Sequence, residues 1–308
     1  MCYSAQIWAE YKKYVRAFGA VLDIEAYVRL FWQRTTDSSI AVPRAMDAEF
    51  LDAVSPQELR VKALVEQVLS SRAKAIEEDI AAQRLRLATA EEKLAKKMTK
   101  TWSENRRIAT DKIASGQRKL EELWRTAQKP RDSRIFPGNW APVMVVEDGQ
   151  RVVKPMRFQC RPEGKPAFYD EKYPGTYNAR RDNLLGFWKG QFGVRHGVIA
   201  AESFFENVRG PDGSNVVLQF TPSTHETMLI ACLWSHWTAE GAPDLLSFAL
   251  ITDDPPPEVS AAGHDRCPVY IKPENVDRWL RPEGASVDEM FAILDDPVRP
   301  YYEHLEAA

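Results

Sequence analysis

The cysteine at position 2 is the residue of this chain with the most direct chemical meaning. Removal of an initiator methionine is favoured when the next residue is small, and it would leave Cys2 with a free amine and a thiol on adjacent carbons. The amine titrates near about 8 and the thiol near about 8.5, so both have reactive fractions at neutral pH. Aldehydes are the natural target of such a pair. The amine condenses to a Schiff base, and the thiolate then closes a five-membered thiazolidine that neither group forms alone. The plain alternative is that cysteine follows Met1 as any residue can. Three further groups have functional and ordinary readings side by side. Asn178, Arg180 and Arg181 follow Pro174-Gly175 and offer an amide and two guanidinium groups for a phosphate or a backbone carbonyl; a solvated loop looks the same. Glu206 ends the apolar run 198–205, where Phe204 and Phe205 would desolvate its carboxyl, raise its pKa and prepare it for proton transfer; a strand-end carboxylate facing water is the alternative. His264, in His-Asp-Arg-Cys-Pro before an apolar run, suits acid–base work near neutral pH, or is a satisfied loop histidine. The remaining histidines, His196, His225, His236 and His304, have no ligand spacing, so neither a metal site nor a cofactor is expected.

The elements that must position these groups follow two patterns. At 308 residues, with 44% hydrophobic, 28% charged and 10% aromatic residues, the chain is expected to be globular, as one large domain or two modest ones. No apolar run reaches about 18 residues and no basic start precedes a greasy stretch, so neither a membrane partner nor a signal peptide is expected, and the location reads as cytoplasmic. Cys2, Cys160, Cys232 and Cys267 lie far apart with no C-x-x-C pair, which argues against a zinc ribbon, a thioredoxin motif or a disulfide framework. A net charge of -3 excludes a general polycation but allows a local basic groove. The charge is uneven: residues 56–128 hold 16 Lys+Arg and 11 Asp+Glu, a net of +5 against -8 elsewhere. In that block Leu69, Ala73, Ile76, Ile80, Leu87 and Leu94 fall on a 4/3 spacing, with Gln83 and Ala90 filling the seam, which predicts a coiled-coil helix. A second helix should hold Ile108, Ile113, Leu120, Leu123 and Trp124, with the polar stretch 99–105 as the turn of an antiparallel hairpin and Pro130 at its exit. A shorter amphipathic helix is expected over 24–32.

From about Arg134 the pattern becomes short apolar runs between turn residues, a β-rich grammar. Asp148-Gly149 between two runs signals a hairpin, because a primed turn needs positive φ. Two late helices are expected, over 273–280 with a leading proline, and over 286–294, where Ser286 and Glu289 have capping-box spacing. No internal repeat and no Gly-rich phosphate loop occurs. The fold class read from this is α+β, divided into a segment 1–10 that belongs to the core, a helical insertion 11–133 containing the hairpin, and a β-rich core 134–300.

In chain order, Met1-Cys2, Asn178-Ala179-Arg180, Ala201-Glu202-Ser203-Phe204-Phe205-Glu206, Ile251-Thr252 and His264-Asp265-Arg266-Cys267-Pro268 form a set. That set resembles the SOS response-associated peptidase family, the abasic-site processing proteins, whose pattern runs Met-Cys-Gly-Arg, Asn-Ala-Arg, Ala-Asp-Gly-Phe-Tyr-Glu-Trp, Ile-Thr, His-Asp-Arg-Met-Pro. The helix at 276–280 is similar too, so the resemblance covers 1–8 and 135–295. It implies an antiparallel, barrel-like core with a positively charged groove for single-stranded DNA containing abasic sites. It also implies Cys2 as nucleophile, Asn178 orienting the cysteine and the sugar remnant, Glu206 shuttling protons, and His264 assisting Schiff-base and ring chemistry. Arg180 would bind phosphate, with Arg181, Arg157, Thr252 and Arg266 also on the DNA path. The implied activities are self-cleavage that releases Met1, a covalent crosslink to the abasic site, and strand-incising lyase action, with DNA-bound protein on the nucleoid.

The chain departs from that pattern in places. Tyr3 and Ser4 replace Gly-Arg, Phe158-Gln159 stands for Trp-Gly, and Asn207 replaces the tryptophan after the glutamate. Base stacking would then fall to Phe158, Trp188 or Trp140. The helical insertion either is a solvated hairpin, or uses its +5 charge to extend the DNA track or to dock a repair or replication protein. Two other readings use the same residues: an N-terminal-cysteine amidohydrolase, and a non-catalytic coiled-coil interaction protein on a degenerate scaffold.

Overall fold

The computed structural model describes residues 3–210 and 212–307. Its organising element is the strand over His196–Arg209, whose residues are almost all buried, which is why the sequence there is a near-continuous apolar run instead of an alternating one. Around it the strands run β1 (Ser4–Ile7), β2 (Val21–Leu22), β3 (Arg134–Ile135), β4 (Trp140–Glu147), β5 (Gln150–Phe158), β6 (Asn178–Arg180), β7 (His196–Arg209), β8 (Asn215–Pro222), β9 (Met228–Ala239), β10 (Ala242–Asp253), β11 (Cys267–Pro268) and β12 (Tyr302–Glu306). The helices are α1 (Tyr11–Phe18), α2 (Ile24–Thr36), α3 (Arg44–Leu51), α4 (Pro56–Lys96), α5 (Lys100–Trp124), α6 (Tyr169–Lys172), α7 (Pro257–Ala261), α8 (Val276–Leu280) and α9 (Val287–Asp295). The class is mixed α+β. The strands form one large mixed sheet in which β7 pairs antiparallel with β1, β4, β8 and β9, while β10 pairs parallel with β5 and β6.

Local chemistry explains the joints. Asp148 and Gly149 take φ of 49° and 76° in the β4–β5 turn, the two positive values that a primed hairpin requires. Ser286 accepts from the Glu289 amide at 3.1 Å and the Glu289 carboxylate accepts from the Ser286 amide at 2.6 Å, closing the expected capping box on α9. Gly197 lets β7 pack tightly, since a Cβ there would lie 3.0 Å from Cys232 Sγ and 3.0 Å from a Val143 methyl, and those neighbours would have to give way.

The described chain divides into two compact units, one running up to Ala53 and on from Lys129, the other Val54–Gln128. Helices α1–α3 therefore fold with the sheet, and the inserted unit begins at residue 54 where the sequence reading began it at 11. The reason is aromatic packing: Tyr11, Tyr27, Phe31 and Phe50 form one cluster, and the Ala200 amide of β7 donates to the Tyr14 hydroxyl at 2.9 Å. A buried ion pair between Arg34 and Asp47 ties α2 to α3. In the second unit α4 and α5 pack antiparallel. Ile80 of α4 meets Gly116 of α5 so closely that a Cβ on Gly116 would approach Ile80 Cγ1 to 2.6 Å. The connection is tighter than the polar stretch 99–105 suggested. Thr99 caps α5 by accepting from the Trp102 amide at 3.3 Å, so residues 100–105 are helical, and Asn105 is used across the hairpin to accept from Arg86 at 2.6 Å.

His196, at the start of β7, is a structural latch. Its ring stacks on Trp279 at 3.9 Å, its Nε2 accepts from the Gly193 amide at 2.8 Å, and Nδ1 meets the Trp279 carbonyl at 3.0 Å. Burial pulls its pKa from 6.5 down to about 3. Between those values the unfolded chain binds a proton that the folded chain excludes, so this group costs about 1.4 kcal/mol of stability for each pH unit below its unfolded pKa. We expect His196→Phe to be less stable than wild type at pH 7 in denaturant melts. The gap should narrow as pH falls below 6.5, and a constant gap would show that the histidine is not the titrating group.

Candidate functional site

The carboxyl of Glu206 lies on β7 among side chains that leave it no exposed surface. Strand alternation puts Phe204, Glu206 and Val208 on one side of β7, and Phe204 stacks there on Phe220 at 5.1 Å. Gly263, with φ of +95° beside Val208, turns the chain after α7 so that His264 faces the same side. The result is a contact of 3.0 Å between His264 Nε2 and Glu206 Oε2. The other ring nitrogen is pinned, with Nδ1 at 3.0 Å from the Arg266 carbonyl. Burial raises the Glu206 pKa, opposed first by the His264 ring and also by the nearby Tyr3 amide. That amide belongs to the first described residue, which donates to the Phe205 carbonyl at 3.3 Å. The carboxyl therefore joins the beginning of β1, the second half of β7 and the loop before β11. A buried carboxyl with raised pKa in contact with an imidazole is placed to give or take a proton.

β10 supplies the second half of the site. Toward its end it runs between β6 and β11, with Thr252 in register with Arg180 on one side and Pro268 on the other, and Leu250 in register with Asn178. Asn178 and Thr252 are buried there. Arg180, Arg181, Thr252 and Arg266 line one cleft of about 480 Å³ together with Asp182, Asp253, Asp254, Leu185 and Phe291. Three of those side chains are cationic and three are anionic, so the lining is balanced where a positively charged groove was expected. The arginines are already paired: Arg180 with Asp182 at 2.7 Å, Arg181 with Asp253 at 3.1 Å and also with Asp295, and Arg266 with Asp265 at 3.6 Å. Arg266 connects the halves, since its carbonyl holds the His264 ring and its side chain lines the cleft.

Other expected contacts fall elsewhere. Phe158 is fully buried, stacked on Phe248 at 5.2 Å and edge-on to Tyr177, and Trp188 is 3% exposed. Neither presents an open ring face to a base, because each side chain is buried. Trp140, the third aromatic considered, borders clefts that do not include the arginines around Thr252. Arg157 is committed to Asp170 at 2.7 Å and to the Gln159 carbonyl at 3.1 Å. Cys2 lies outside the described residues. The described cysteines are buried and unpaired, and burial pushes the Cys160 thiol to about 12 and raises those of Cys232 and Cys267, which keeps them from being ready nucleophiles. Among the described residues no cluster of His, Cys, Asp and Glu could hold a metal ion, and no helix is long and apolar enough to cross a membrane. Sequence reading missed Arg134, whose guanidinium lies over the Phe205 ring beside Ser4. An arginine opening a two-residue strand carries no signal until the pairing of β1 with β3 is known.

The family profile described as SOS response associated peptidase (SRAP) matches residues 84–307 of this chain. The abasic site processing protein YoaM of Bacillus subtilis (strain 168) is 26% identical over 97 residues, 32% of this chain and 42% of that protein, so the match spans less than half of the relative. Among solved structures, a protein from Bacteroides thetaiotaomicron is similar with TM-score 0.49 and 14% identity, covering 57% of this chain and 78% of that one. A protein from Bordetella bronchiseptica gives 0.48 and 17%, covering 62% and 95% respectively.

The balance of forces on Glu206 can be tested directly. His264→Ala removes the opposing partner, so the carboxyl's pKa should rise further above its unfolded value. A group shifted that way destabilises the fold as pH rises above its unfolded pKa. We expect His264→Ala to lower the melting temperature more at pH 8 than at pH 5, and Glu206→Gln in the same background to flatten that dependence. An equal drop at both pH values would mean that the two side chains are not coupled.

Proposed function

Because this chain belongs to the SOS response associated peptidase family, we propose that it processes abasic sites in single-stranded DNA through a covalent bond to Cys2. The observation that carries the reading is the Glu206 carboxyl, buried at 3.0 Å from His264 Nε2 beside the start of β1, where the amide of Tyr3, the residue to which Cys2 is bonded, donates to the adjoining Phe205 carbonyl at 3.3 Å. The name of the Bacillus relative, abasic site processing protein, supports the same assignment.

In the proposed chemistry Met1 is first released by hydrolysis of its peptide bond to Cys2, the family's peptidase step: one water is consumed, its hydroxyl going to the Met1 carbonyl carbon and its proton, carried by Glu206, to the Cys2 nitrogen. The freed amine adds to the C1 aldehyde of a ring-opened deoxyribose, and the carbinolamine loses water to become an imine. The Cys2 thiol then adds across the C=N bond, carbon–sulfur bond formation being matched by proton transfer to nitrogen, and the thiazolidine results with one water released overall. A buried acid with raised pKa protonates the departing hydroxyl, and the resulting carboxylate takes the next proton back with His264 as relay. Asn178 orients the cysteine and the sugar remnant. Arg180, Arg181, Thr252 and Arg266 receive the strand in the cleft, where phosphates replace the aspartates that now hold the arginines. Since each such exchange trades one anion for another, strand binding along this cleft depends more on geometry than on net charge. Elimination from the imine gives lyase action at the same site. The basic helical unit is a surface for a further DNA segment or a repair or replication partner.

Purified protein incubated with an abasic single-stranded oligonucleotide should give a band that survives denaturation and is absent with Cys2→Ala. Intact mass should show loss of Met1 and an adduct one water lighter than the sum of its parts. Glu206→Gln should slow crosslinking by about a hundredfold or more, or leave Met1 attached. An unshifted wild-type lane overturns the reading.

A further inference from the structure

The arginine beside the start of β1 differs from those around the cleft. Arg134 opens β3, lies 3.6 Å above the centroid of the Phe205 ring, and donates through Nε and Nη2 to the Ser4 hydroxyl at 3.0 and 2.9 Å. Among the described residues no carboxylate is within ion-pair distance of it, and its Nη1 has no hydrogen-bond partner. The arginines lining the cleft are each held by an aspartate. Burial works against the Arg134 charge, and a neutral serine does little to offset it. A partly desolvated guanidinium with unused donors and no counter-ion is a binding site for an anion, and its planar fork favours a phosphate.

Its surroundings narrow the ligand. Phe136 lies 4.9 Å from the guanidinium and meets Tyr3 edge-on at 5.7 Å, and the two rings are 36% and 39% exposed. Partly exposed aromatic rings beside a cation are the pattern by which single strands are held, bases on rings and phosphate on arginine. Ser4 stands two residues from Cys2, and Phe205 directly precedes Glu206. We propose that Arg134 binds the phosphodiester next to the reacting nucleotide, with Tyr3 and Phe136 as the platform for the adjoining base. The identity of the strand rests on the function proposed above; the phosphate site rests on the geometry of Arg134.

The test separates the two. A single-stranded oligonucleotide with a non-reactive tetrahydrofuran in place of the abasic sugar is titrated into wild type, Arg134→Gln and Arg134→Lys across a range of salt. Loss of one phosphate contact should weaken Arg134→Gln about tenfold and reduce the magnitude of its salt slope by about 0.7, with Arg134→Lys intermediate. The same titrations use probes in which each linkage near the tetrahydrofuran is in turn a neutral methylphosphonate. One linkage should cost wild type as much as the glutamine substitution does, and the two losses should not add. Additive losses, or a wild type indifferent to every neutral linkage, overturn the proposal, and the second arm needs no variant to fold. An affinity equally weakened by millimolar inorganic phosphate in wild type and Arg134→Gln would also overturn it. A wild type that crosslinks abasic DNA but shows no such coupling would leave the proposed function standing without this site. Coupling without crosslinking would do the reverse.

Discussion

A carboxyl group with no exposed surface is expensive to place inside a protein, and Glu206 is such a group in the second half of β7. What offsets its burial is contact with two chain segments that arrive from far away in sequence. The Tyr3 amide comes from the start of β1, and the His264 ring comes from the loop after α7, itself held by the Arg266 carbonyl. None of the three is useful alone. A histidine without the pinned Nδ1 could rotate away, and without β1 in register beside β7 the amide would be absent. The sheet can thus be understood as the device that holds one costly group among its partners, and the raised pKa is the chemical return on that arrangement.

Charge is distributed by the same logic. Around the cleft each arginine has its own aspartate, so in the proposed function strand binding there is an exchange of anions. Arg134 is the exception, stacked on an aromatic ring and bonded to a hydroxyl. A site that must hold a phosphate against solvent benefits from one cation whose field is not already cancelled, and the position of that cation decides which phosphate is held most firmly.

Much of this was legible before the fold was known, and the reasons differ by level. Local chemistry reads well: the Asp148-Gly149 turn and the Ser286 cap each depend on residues within a few positions. The motif order marked Glu206 and His264, which the sheet brings into contact. What failed were statements about exposure. Phe158 and Trp188 looked like stacking platforms because aromatic type suits that role, yet burial depends on which loops close over a strand end, and no nearby residue encodes that. The hairpin turn was misplaced for a similar reason: Asn105 is polar because it accepts from Arg86 across the pair, not because the chain turns there.

Arg134 shows the limit most clearly. The family pattern has arginine two residues after the cysteine, and this chain has serine there. Ser4 is wholly buried, and its hydroxyl is occupied by a guanidinium delivered from a different strand. A one-dimensional reading registers position 4 as a lost contact. In three dimensions β1 and β3 pair Ala5 with Ile135 and Gln6 with Arg134, so the cation beside the start of β1 enters from β3 instead. The departure that most weakened the sequence-based case for phosphate binding is therefore the one whose structural counterpart supplies an unpaired cation at the same place.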